Sequence, residues 1–105
     1  MVKSMPDTDD KITIESVTSP HHVQRVDRKK YTAMHHALLE VLPVGAPGIT
    51  LADAKAKLLQ HLPEDLFPEG NKAGWWLKAV QLDLEAKRVI GRTADKPLRL
   101  FKQAD

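Results

Sequence analysis

The residue types able to do chemistry in this chain are few, and their spacing argues against catalysis. The histidines stand as adjacent pairs, His21-His22 and His35-His36, with His61 alone. Metal ligands on a helix need a spacing of three or four to share a face, whereas neighbours diverge by about 100°. Neither pair is a chelate by itself, so no metal site is expected. All the serines, Ser4, Ser16 and Ser19, lie in the N-terminal segment, and no nucleophile elbow, phosphate-binding glycine loop or zinc signature is present. The chain has no cysteine, which removes thiolate ligands, cysteine nucleophiles and disulfides together. The expectation is a protein that is not an enzyme, with no catalytic residue and no cofactor.

The charged residues offer binding chemistry instead. Net charge is only +2, so their distribution matters more than their sum. Residues 87–102 hold Lys87, Arg88, Arg92, Lys96, Arg99 and Lys102 against Asp95 alone, while the first fifteen residues hold Asp7, Asp9, Asp10 and Glu15 against Lys3 and Lys11. A local basic patch of this kind can face a polyanion; a solvated hairpin has the same composition. Arg28, Lys29 and Lys30 open a predicted helix, where the macrodipole disfavours cations. An anion nearby would offset that cost of a few tenths of a kcal/mol, and simple exposure would tolerate it.

The elements that must position these groups follow from periodicity and breakers. With 105 residues and 42% hydrophobic content, the chain has enough material for one small core. Residues 1–20 read as a flexible N-terminal tail and arm, with K-I-T-I-E-S-V alternating as a short strand, and residues 21–105 read as the domain. Ser19-Pro20 can open a helix and Asp27 another; the one favoured runs from about Asp27 to Leu42, because Tyr31, Met34, Leu38, Val41 and Leu42 recur at helical spacing. A brief strand near Ile49 leads to Thr50, a second N-cap with Asp53 three residues on. Leu51, Ala54, Leu58 and Leu62 share a face of a second helix of about a dozen residues. Leu66 and Phe67 sit in a breaker-rich loop and are apolar enough to tuck back onto the core.

A third helix is predicted from about Asn71 to Lys87, with Ala73, Trp76, Leu77, Val80 and Leu84 on its core stripe. K-R-V-I-G-R-T and P-L-R-L-F-K then form a hairpin around A-D-K. The fold class is α+β: three helices, a C-terminal hairpin and an extended N-terminal arm.

Over residues 27–102 this order, and the phrase "LDLEAKRVIGR" that runs the third helix into a strand, resembles a winged helix-turn-helix domain. The stretches "KYTAMHHALLEVLP", "GWWLKAVQLDLEAKRVIGR" and "KPLRL" are similar to a family of short uncharacterised bacterial proteins. The winged-helix resemblance implies a third helix that reads duplex DNA and a hairpin that serves as the wing. It makes Asn71, Lys72 and Lys78 on that helix, Arg92, Lys96 and Arg99 on the wing, and Arg28, Lys29 and Lys30 candidates for contact with double-stranded DNA. Asp83 and Glu85, farther along the helix, would repel phosphates. The link between second and third helices, Pro63 to Gly70, is longer than a tight helix-turn-helix allows.

The third helix carries a second apolar strip, Trp75, Ala79, Leu82 and Ala86, opposite its core stripe. A helix apolar on two sides is usually buried on both. Trp76 is therefore assigned to the core, and the Trp75 strip must be covered by the arm residues Ile12, Ile14 and Val17, by a second copy, or by another protein. The reading is a DNA-binding or transcription-associated module; the alternative is a protein-interaction or dimerisation module of the same fold without nucleic acid. No bilayer-length apolar run or signal-like N-terminus is present, so a cytoplasmic protein without membrane contact is expected.

Overall fold

Period-two alternation at the N-terminal side does produce a strand, and it finds a partner that the sequence does not announce. In the computed structural model, which describes residues 11–18, 23–93 and 96–103, β1 (Lys11–Ile14) pairs antiparallel with β2 (Gln24–Asp27), Ile12 opposite Val26. Val26 is the single apolar residue of β2, too little for a period to register. Ile14 and Val26 both enter the hydrophobic core. The expected tail at residues 1–10, the Ser19-Pro20 helix start and the A-D part of the hairpin turn lie outside the described residues.

The first helix, α1 (Arg28–Val41), begins where Asp27 accepts a hydrogen bond from the Lys30 amide at 2.9 Å. Such a cap satisfies one of the amides that a helix start leaves free. Tyr31, Met34, Ala37 and Leu38 form its buried stripe. Leu42 turns extended because Pro43 follows, whose ring excludes the helical conformation from its predecessor.

The short strand β3 (Ile49–Thr50) leads directly into α2 (Leu51–Leu58), with the Thr50 hydroxyl accepting from the Asp53 amide at 3.2 Å. The helix stops short of the expected dozen residues. It tightens into a 3₁₀ turn at Leu59–His61, and Leu62, preceding Pro63, is already extended. Phe67 turns inward to 2% exposure and meets Trp76 edge-to-face at 6.5 Å.

The third helix, α3 (Ala73–Ala86), starts two residues later than expected, because Lys72 adopts the left-handed conformation at φ 63°. Ala73, Trp76, Leu77, Val80 and Leu84 are all buried, as the stripe requires. At its end Arg88 turns left-handed, its amide reaching Glu85 O, and the Val89 amide reaches Leu84 O. Those paired bonds satisfy two free carbonyls and reverse the chain into the hairpin.

That hairpin is β4 (Ile90–Arg92) with β5 (Arg99–Lys102), and β3 completes an antiparallel sheet in the order β3-β5-β4. Gly48, at φ 79°, lets the chain enter β3: a Cβ there would lie 2.1 Å from the Leu100 carbonyl oxygen. The architecture is therefore α+β, three helices on a small antiparallel sheet that ends in a C-terminal hairpin. Among the described residues no helix is long and apolar enough to cross a membrane.

Candidate functional site

The outward face of α3 concentrates the features that the core does not consume. Trp75 stands 52% exposed, its ring held edge-to-face against Trp76 at 5.0 Å. Ala79, Leu82 and Ala86 continue the strip and are half-buried. The arm covers its far end: the Val17 amide donates to Leu82 O at 3.2 Å and the Glu15 amide to Asp83 Oδ1 at 2.9 Å. Val17 itself remains 41% exposed and Ile14 joins the core, and the arm leaves Trp75 half exposed. Between arm and helix a groove of about 260 Å³ remains, bordered by Ile14, Ser16, Gln24, Trp75, Ala79 and Leu82.

Asp83 and Glu85 are not surface charges facing phosphates, contrary to the sequence expectation. Asp83 is 0% and Glu85 8% exposed, and both are paired. Asp83 accepts from the Tyr31 hydroxyl, from the Lys87 ammonium at 2.9 Å and from the Glu15 amide. Glu85 holds Arg92 through both carboxylate oxygens, with Nη2 to Oε2 at 2.9 Å, and accepts from Gln81 Nε2 at 2.7 Å. Buried carboxylates persist only with such partners. The spacing carried a signal: Asp83 with Lys87 and Gln81 with Glu85 are four apart, neighbours on one helix face. Nothing local announced Tyr31 or Arg92 as partners.

These contacts move proton affinities in defined directions. Burial, reinforced by the bond to Asp83 and its charge, pushes the Tyr31 hydroxyl well above its ordinary value. Burial holds His35 below its ordinary value, with the Asp83 charge opposing in part. The Glu85 hydrogen bond raises Arg92 further, so that side chain stays charged and engaged.

The cations proposed for DNA contact belong to three parts of the fold: the first turn of α1, the α3 segment and the C-terminal hairpin. Arg28 is exposed, with Nη2 donating to Lys11 O at 3.0 Å; Lys29 is exposed and Lys30 half-buried. Asn71 and Lys72, just ahead of α3, and Lys78, in its first half, are exposed. On the hairpin Lys96 is exposed, Arg99 is half-buried, and Arg92 is tied to Glu85. Among the described residues no group of three or more histidine or carboxylate side chains is arranged to hold a metal ion.

One family model, whose description is a family of unknown function, matches residues 11–100. No curated protein and no solved structure matches.

Proposed function

We propose that this chain, which belongs to the Family of unknown function (DUF6958), is a winged-helix module that works by binding rather than catalysis. The contact its geometry supports best is with protein, through the outward face of α3. The observation that carries this reading is Trp75, half out in water at the open end of an apolar strip beside a groove. An exposed aromatic held rigid by a neighbouring ring is the kind of anchor that interfaces use.

A second copy is the occupant this face fits. An isologous contact sets the same patch against itself, and here each protomer offers both a protruding indole and an apolar groove next to it. Trp75 of one protomer then fills the partner's groove. The test is tryptophan emission against protein concentration: dimer formation moves it to shorter wavelength as Trp75 leaves water, and Trp75→Phe abolishes the concentration dependence. Emission independent of concentration up to high loading rejects the self-contact.

Duplex DNA is a second reading, favoured by exposed Asn71 and Lys72 at the N-terminal end of α3, where recognition helices meet base edges, with exposed Lys78 farther along. The arm across Leu82 and the engagement of Arg92 by Glu85 weigh against a helix laid along the groove. Fluorescence anisotropy at low salt decides it, since phosphate contacts make affinity fall steeply with added salt.

A further inference from the structure

The strand β2 has a backbone partner on one edge only. Its two-stranded sheet ends there, and among the described residues no backbone hydrogen bond reaches Gln24–Asp27 from any element but β1. Unpaired edge donors and acceptors are a template for another strand. A ribbon of two strands is marginal by itself and gains from further pairing.

The side chains decide what can pair there. Alternation places Val26 on the core face of β2, 6% exposed, and Arg25 and Asp27 on the outer face, both exposed. Opposite them on β1 stand Ile12, half-buried, and Thr13 and Lys11, exposed. A second β2 laid antiparallel and centred on Val26 sets Arg25 against the partner's Asp27, Asp27 against the partner's Arg25, and Val26 against the partner's Val26. The inner row then joins Ile12 and Val26 of both copies, while each outer row alternates Lys11 and Asp27 with the partner's Arg25 and the partner's Thr13. Opposite charges directly across a strand pair stabilise it, and like charges oppose it. Centring on Arg25 would set that cation against itself, so one register is favoured. Neither charge is fully committed among the described residues: Arg25 forms no ion pair, and Asp27 caps α1 through Oδ2, leaving Oδ1.

We infer that two copies of this chain join edge to edge through β2, antiparallel and centred on Val26, to make one four-stranded sheet. The inference rests on the self-contact proposed above and extends it: Gln24, the first residue of β2, also borders the Trp75 groove, so edge and groove adjoin. Short, charged edges deter indiscriminate pairing, while this one complements itself.

Arg25→Glu sets carboxylates against each other at both ends of this register, and Asp27→Lys sets cations against each other. By light scattering at low salt, each variant should dimerise about tenfold more weakly than the parent, and added salt should narrow the difference. Mixing the two should restore about the parent's affinity, since every position then faces its opposite charge. Asp27→Lys also removes the α1 cap, so circular dichroism checks its helix, and hydrogen exchange on the unaltered chain supplies a measurement that needs no variant. The outward β2 amides should exchange about tenfold more slowly in the dimer than in dilute monomer. A parent that dimerises with those amides unprotected, or an Arg25→Glu chain that dimerises as well as the parent, overturns the pairing and leaves the Trp75 contact standing. A parent that stays at the single-chain mass at every concentration overturns both.

Discussion

The Tyr31 hydroxyl donates to Oδ2 of Asp83, a residue 52 positions later and fully buried. The other oxygen of the same carboxylate receives the Glu15 amide, and Lys87 closes the group from the end of α3. One side chain thus ties α1, α3 and the arm together. A core this small has little redundancy, because a domain of this size has about 5–15 kcal/mol in hand.

Tyr31→Phe is expected to cost about 1–2 kcal/mol, the loss of one donor to a charged acceptor. Asp83→Ala is expected to cost about 3–5 kcal/mol, since it strips the shared acceptor and leaves buried donors unpaired. Urea denaturation measures both. Equal and negligible effects would mean that the carboxylate is ornamental.

Stability should fall at both ends of the pH range. Burial keeps His35 neutral in the folded chain below its ordinary value of 6.5, so protonation favours unfolding, and stability drops as pH falls through that value. Tyr31 is raised above its ordinary value of 10.0, so its contribution is complete below that pH and declines as pH rises past it. Denaturation midpoints across pH check both limbs, and His35→Gln should flatten the acid one alone.

Removing Arg92 leaves Glu85 buried without its cation. Arg92→Ala should cost about 2 kcal/mol, less than a fully buried pair because the Arg92 side chain is 35% exposed. Thermal unfolding of this variant beside Lys96→Ala, at an exposed site expected to change stability by no more than about 0.5 kcal/mol, separates pairing from mere loss of charge.

Gly48→Ala should be among the most damaging small changes, at about 3 kcal/mol, since it meets both the Leu100 carbonyl and an unfavourable φ. A variant as stable as the parent would show that the approach of this chain segment to β5 is not needed.

How much of this was legible depends on whether the cause was local. Asp27 and Thr50 were readable as caps because a cap is written within four residues, and the α3 core stripe was readable from its period. β2 was not, because a strand with one apolar residue depends on β1 for its existence. The burial of Asp83 and Glu85 escaped for the same reason: what neutralises them includes Tyr31 from α1 and Arg92 from β4, and no local pattern foretells a distant partner. Trp75 was legible as the start of a second apolar strip, but its open end became visible only with the arm in place.

The self-contact through α3 is tested most directly by light scattering of the purified chain and of a Trp75→Gln, Leu82→Gln variant with retained circular dichroism. The parent should approach twice its 11.8 kDa mass as concentration rises, and the variant should stay at that mass. A parent that remains at the single-chain mass throughout, or a variant that dimerises equally well, contradicts the account.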